Sequence, residues 1–377
     1  MINPADKITS NNKLYGLDHL RALAITLVFL FHYGQLFPHP LWTNPVGRFG
    51  WTGVDLFFVL SGYLIASQLF LKIVANKRLS LSEFFIKRFF RIIPAYLVVL
   101  AIYFFIPYAR EWEALAPAWK YLSFTYNFGL DLHKHRTFSH SWSLCIEEQF
   151  YLLLPAILAG LVYFKLIKKG ALLLIALFVF GFIIRYYSYD KLVGPFMDDD
   201  NGYLNWYKWI YYPTYNRLDG LLTGVSIAAL FTFRPLWKER ICKYGNMLLL
   251  LSLLVITASY FLCRNQGTFG ASIFGFPLVS IGYGLMLMGA VSPKTFLYKC
   301  NSKITATVAT LSYAIYLTHK IVIHITQDKF GKMGINVHGN LMFVICVVTS
   351  VIGAWLLNRM VEKPFLKWRE KILRSRE

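Results

Sequence analysis

Long apolar runs separated by short polar connections recur along the whole chain. Crossing the hydrocarbon core of a bilayer as a helix takes roughly 20 such residues. Ten runs qualify, centred on 15–37, 54–74, 89–107, 142–164, 171–188, 211–231, 246–262, 271–291, 304–326 and 339–361. The pattern predicts an all-α, polytopic membrane helix bundle of about ten transmembrane helices. It forms a single domain of spans and loops over about 14–361, followed by a basic tail at 362–377. The first run is too long for the apolar region of a signal peptide and lacks a clear small-residue cleavage site, so it reads as a retained span. The segment 119–128 has an amphipathic look and is expected to lie in the interface. The glycines of 282–289 read as helix packing rather than phosphate binding.

Composition agrees: of 377 residues, 56% are hydrophobic and only 15% charged, against about 25% charged in a soluble domain. Mean hydropathy is +0.48. The net charge of +20 raises nucleic acid as a partner, but the cations stand in clusters between apolar runs, which points to the lipid bilayer and to no nucleic acid. Alternate connections carry Lys77, Arg78, Lys87, Arg88 and Arg91; Lys165, Lys168 and Lys169; Arg234, Lys238, Arg240 and Lys243; and Lys294, Lys299 and Lys303. The tail adds seven more cations, from Arg359 to Arg376. The other connections hold most of the acids, including Glu111, Glu113, Asp131, Asp190 and 198–200. Cytoplasmic loops hold the Lys/Arg excess, so both termini are expected in the cytoplasm. The five cysteines are scattered and form no CxxC, which argues against a disulfide framework.

An ionisable side chain inside a span is costly and marks a functional candidate. In the first run Arg21 and His32 are eleven residues apart, roughly 16 Å along a helix and nearly on one face. Arg21 falls near the cytoplasmic surface, and His32 about one turn from the far one. Other runs bring polar groups to His32's depth: Asp55 and Ser61; Ser141, Ser143, Glu147 and Gln149; Arg217 and Asp219; and His319. Each has a structural alternative. Arg217 and Asp219 suit buried ion pairs, His319 an interfacial histidine, and Glu148 a water-facing position. His133, His135 and His140 make a loose histidine cluster in what reads as a solvated loop, and no metal is expected there.

Acyl transfer to a hydroxyl needs a base for the hydroxyl and stabilisation of the oxyanion. His32 with Glu147 as its orienting carboxylate fits that demand. A thioester donor with phosphates needs cations, and Arg21, Lys87, Arg88 and Arg91 supply them on the cytoplasmic side.

Six motifs carry a resemblance: LDHLRALAITLVFLFH (17–32), GVDLFFVLSGYLI (53–65), FFIKRFFRIIPAYL (84–97), SHSWSLCIEEQFYLLLP (139–155), YNRLDGLLTG (215–224) and LSYAIYLTH (311–319), closed by VEKPF (361–365). In this order the set resembles membrane-bound acyltransferase family 3, which includes bacterial O-antigen and other polysaccharide O-acetylases. The resemblance implies ten core spans, acyl-CoA, commonly acetyl-CoA, as donor, and a catalytic role for Arg21 and His32. It also makes Ser141, Ser143, Glu147 and Gln149 site residues. Cys145 stands where the family often has a second serine, which removes that hydroxyl here. No appended SGNH domain is expected. The reading is a bacterial inner-membrane O-acyltransferase whose acceptor is a surface or lipid-linked glycan. Its rivals are O-acylation of a small-molecule metabolite and a transporter or flippase using buried ionisable groups.

Overall fold

The computed structural model describes residues 14–77 and 79–375; Arg78 and Arg376, counted in the basic clusters, lie outside them. Among the described residues, ten helices of fifteen residues or more occupy the positions of the ten apolar runs: α1 (Tyr15–Leu36), α2 (Gly53–Val74), α3 (Leu81–Phe105), α4 (Trp142–Tyr163), α5 (Gly170–Ser188), α6 (Asp219–Phe233), α7 (Gly245–Leu262), α8 (Phe276–Ala290), α9 (Lys303–Lys332) and α10 (Asn340–Leu357). Eight described helices are long and apolar enough to cross a membrane. A ninth qualifies if α6 and the sharply bent helix after it, Pro235–Lys243, count as one span. The first helix has the length, but Asp18, His19, Arg21 and His32 dilute its apolar character. The chain is a polytopic helical membrane protein.

Three boundaries differ from the sequence reading for local reasons. α3 begins at Leu81, eight residues before the expected span, because Ser80 caps it by accepting from the Glu83 N–H. The sixth helix begins only at Asp219: Pro213 offers no N–H, and short π and 3-10 turns at Tyr207–Tyr211 and Thr214–Asn216 replace the first half of the expected span. This irregular stretch is held by protein, with Asn127 Nδ2 donating to the Tyr212 carbonyl at 3.2 Å and to Thr214 Oγ1 at 2.8 Å. The basic tail is a helix, α11 (Lys363–Arg374), joined to α10 through a π turn at Asn358–Glu362. Its Phe365 and Trp368 pack on Phe90 of α3, at 6.3 and 5.4 Å between ring centroids.

Glycine sets the closest helix approach. A Cβ at Gly220 of α6 would stand 2.8 Å from Phe58 Cβ of α2, and one at Gly224 would collide with the Val59 carbonyl and the Tyr63 N–H. Small residues therefore let α2 and α6 pack backbone to backbone, the means by which membrane helices gain dispersion contact without a hydrophobic drive. Gly282 meets Ile256 and Gly289 meets Leu249 across α7 and α8, so that stretch is helix packing as expected. At the rim, α5 turns Leu172, Ile175, Val179 and Ile183 outward, as a lipid-facing helix must.

Candidate active site

Three cavities follow one another through the bundle. The outermost, about 620 Å³, lies between α2, α3 and α11 and is lined by Lys72, Lys87, Arg88, Arg91 and Arg369, with Glu83. Glu83 pairs with Lys72 at 2.9 Å and Lys87 at 2.5 Å, and the arginines keep the mouth basic. Arg88 and Arg91 also line the second cavity, of about 150 Å³, with Arg21, Ser61, Ser143, Glu147, Glu148, Tyr151, Ser312 and Tyr316. The third, about 320 Å³, contains His32 and His140 among Phe31, Trp51, Trp142, Tyr203, Tyr207, Tyr211 and Tyr212, with Arg48, Arg136 and Arg264. Tyr316 and Val54 line both the second and third cavities. The Tyr316 hydroxyl is tied to Ser143 Oγ at 2.5 Å and donates to the His140 carbonyl at 2.7 Å.

The three arginines assigned to the donor from the sequence, Arg21, Arg88 and Arg91, thus share one chamber, while Lys87 faces the outer one. Arg91 Nη1 reaches the buried Glu362 at 3.2 Å, a carboxylate also held by Asn358 Nδ2 at 2.7 Å. This explains why the π turn before α11 is packed against α3 rather than free.

Glu147 is elsewhere than expected. Its Oε2 accepts from the Tyr151 hydroxyl at 2.6 Å, and Tyr151 also reaches Ser61 Oγ at 3.2 Å. No hydrogen bond among the described residues joins Glu147 to His32. It belongs to the arginine chamber, not to the histidine one.

His32 instead pairs with His319: Nδ1 to Nε2 is 2.9 Å. His319 Nδ1 lies 2.9 Å from both the Ile315 and the Tyr316 carbonyls. Carbonyl oxygens only accept, so neutral His319 carries its proton on Nδ1 and offers a lone pair at Nε2. His32 Nδ1–H must then be the donor, which leaves the lone pair of His32 on Nε2. The backbone of α9 thereby fixes the tautomer of a histidine on α1. His319 is fully buried, so it is not the interfacial residue that its position alone allowed.

Sequence reading missed several members of this centre. His140 is buried, with its ring centroid 5.8 Å from that of His32 and 5.1 Å from that of His319, and among the described residues neither ring nitrogen makes a hydrogen bond. It was placed in a solvated loop, but Phe138, in a left-handed backbone conformation at φ 57°, turns the chain inward before α4. Lys320 and Glu111 form an ion pair at 2.5 Å with side chains 0% and 2% exposed. Glu111 Oε1 also accepts the Phe138 N–H at 3.3 Å, so the pair pins the turn that delivers His140. Lys320 was legible as a cation inside a span; Glu111 looked like an ordinary loop acid. Among the described residues no group of His, Cys, Asp or Glu is arranged to hold a metal ion.

The remaining candidates shape the site from behind. Arg217 Nη2 donates to both Asp55 oxygens at 2.9 and 3.0 Å. Its guanidinium lies 4.0 Å from the Phe276 ring centroid, 4.6 Å from Tyr211 and 5.3 Å from Trp142. Tyr211 and Trp142 are walls of the His32 cavity, so this buried pair sets them. Asp219 pairs with Arg185 of α5 at 2.5 and 3.1 Å, a partner that the sequence reading did not name. Ser141 Oγ donates to the Phe138 carbonyl at 2.8 Å. Gln149 donates to the Phe124 carbonyl at 2.7 Å and accepts from Thr214 at 2.5 Å. Neither lines any of these three cavities; both fasten loops.

A family model described as "Acyltransferase domain", of the acyltransferase 3 type, matches residues 14–359. Among curated proteins, one from Staphylococcus aureus strain COL named "Putative O-acetyltransferase" is 30% identical over 96% of this chain and 58% of its own length. The peptidoglycan O-acetyltransferase OatA of Listeria monocytogenes is 30% identical over 93% of this chain and 56% of its own. The O-acetyltransferase OatA of Staphylococcus aureus strain NCTC 8325 is 27% identical over 96% and 58%. The chain thus spans less than two thirds of the length of these relatives. No solved structure matches it.

Proposed function

The chain belongs to acyltransferase family 3, and on that footing we propose that it transfers an acyl group, acetyl first of all, from a coenzyme A thioester to a hydroxyl of a surface or lipid-linked glycan. The observation that carries this reading is the series of neighbouring cavities, each sharing lining residues with the next, from a basic mouth to a histidine paired with a second histidine.

The alternating Lys/Arg excess supports a cytoplasmic position for the basic mouth, in a bacterial inner membrane. Lys87, Arg88 and Arg91 would hold the donor's phosphates there, and Arg21 the arm beyond them. The thioester would meet the wall formed by Tyr316 and Ser143. From the other side, the acceptor would enter the aromatic cavity, whose flat ring faces suit the apolar faces of sugars. His32 Nε2 would take the proton of the attacking hydroxyl, whose oxygen adds to the thioester carbonyl. Collapse of the tetrahedral intermediate forms the ester and expels the thiolate, which recovers a proton through the imidazolium.

Glycan mass spectra from cells with the intact gene should show added acetyl mass that vanishes on deletion and returns on complementation. Unchanged glycan spectra across all three would remove the assignment. A second expectation follows from the mouth: Arg88→Ala with Arg91→Ala should raise the KM for acetyl-CoA more than it lowers kcat, since the pair contributes binding rather than proton transfer. Steady-state kinetics in proteoliposomes measure the split. An unchanged KM with a collapsed kcat would assign the two arginines to the architecture.

A further inference from the structure

The third cavity carries a charge pattern that the proposed reaction alone does not require. Its described lining includes Arg48, Arg136 and Arg264 and no aspartate or glutamate. Arg48 Nη2 donates to the Arg264 carbonyl at 2.7 Å, which ties the Arg48 side chain to the backbone of Arg264. Arg136 stacks over Trp112, with its guanidinium carbon 4.3 Å from the ring centroid. Among the described residues none of the three makes an ion pair. Four other cations around the site are neutralised: Arg217 with Asp55, Arg185 with Asp219, Lys320 with Glu111 and Arg91 with Glu362. Like charges gathered at a concave site with low-dielectric walls focus a positive field into it. A neutral sugar gains nothing from that field, whereas a carboxylate or phosphate beside the accepting hydroxyl gains charge-assisted, bidentate hydrogen bonds.

We propose that this cavity selects an anionic glycan, one that bears a carboxylate or phosphate group close to the hydroxyl presented to His32, with Arg48, Arg136 and Arg264 as the specificity-determining residues. The inference rests on the reading of this cavity as the acceptor site. The aromatic walls take the ring and the arginines take its charge.

Two tetrasaccharides of equal length separate the terms: tetra-N-acetylchitotetraose, which is neutral, and unsulfated hyaluronan tetrasaccharide, which alternates glucuronate with N-acetylglucosamine. Equilibrium binding to the full chain in nanodiscs, by thermophoresis, should favour the anionic probe by about tenfold or more. Raising the salt should erode that preference. The triple substitution Arg48→Gln, Arg136→Gln and Arg264→Gln should bring the ratio of the two affinities to about one, so that the anionic probe binds no better than tetra-N-acetylchitotetraose. Equal binding of the two probes, binding of neither, or a preference that survives the triple substitution would each overturn the charge assignment. Labelled acetyl-CoA supplied with each probe keeps the two readings apart. His32-dependent acetylation without a charge preference sinks the anionic acceptor and leaves acetyl transfer standing. Charge-selective binding to a protein that acetylates no glycan does the reverse.

Discussion

Replacing His32 by alanine should abolish acetyl transfer while the protein stays inserted and folded. His32 is half-buried and lines the cavity in which the acceptor is proposed to bind. Its Nδ1 is committed to His319, which leaves Nε2 as the atom able to accept a proton. Loss of a positioned base typically costs about 10²–10⁴-fold, and no other histidine replaces it with the same geometry. His319 has its Nε2 committed to His32, and removing His32 orphans that nitrogen rather than redirecting it. His140 has both ring nitrogens without a hydrogen bond among the described residues, but they sit on the turn before α4 instead of on α1. The chamber proposed to hold the donor is lined by Arg21, Arg88, Arg91 and Glu147 and not by His32, so acetyl-CoA binding, measured calorimetrically, should survive the change. A well-expressed His32→Ala protein with full activity would falsify the base assignment and reduce the histidine pair to a polar contact between packed helices.

How much of this centre was legible differs between its two halves. The run of apolar segments placed all ten helices, because the cost of exposing backbone in lipid leaves few alternatives to a helix. Depth along each helix was also legible, since rise per residue is fixed, and it brought His32, His319 and Glu147 to one layer. Depth does not give the azimuth between helices, and that is where the reading failed. Depth alone admits both Glu147 and His319 beside His32, and the sequence reading pairs His32 with Glu147. Packing turned α9 toward α1 and directed Glu147 toward Tyr151 and the arginines. Long-range polar pairs were invisible for a related reason. Glu111 and Lys320 are separated by 209 positions in the chain, and only the folded loop brings them together. Arg217 and Asp219, in contrast, were recognisable as ion-pair members from the cost of burying them. Their partners, Asp55 and Arg185, come from other helices.

The position of His319 behind His32 leads to the second large effect. His319→Leu should lower kcat by about 10–100-fold, the usual loss when a residue that orients a functional histidine is removed, with the KM for acetyl-CoA nearly unchanged. Leucine fills much of the same space but offers no acceptor, so the Nδ1–H of His32 is left unsatisfied in a buried setting. The ring then gains by rotating or by moving its proton to Nε2, and either change withdraws the lone pair from the cavity. His319→Gln is the discriminating variant. Its Oε1 can accept from His32 Nδ1–H, while its amide can donate to the Ile315 or Tyr316 carbonyl as His319 Nδ1 does. Glutamine should therefore recover a large part of the activity that leucine loses. A purely structural role predicts another ranking, in which leucine, the better fit to an apolar helix interface, equals or exceeds glutamine. Single-turnover kinetics on both variants, with thermal stability measured beside them, read the difference. If leucine and glutamine lose activity equally, or if both lose it in proportion to stability, the tautomer of His32 is not set by His319.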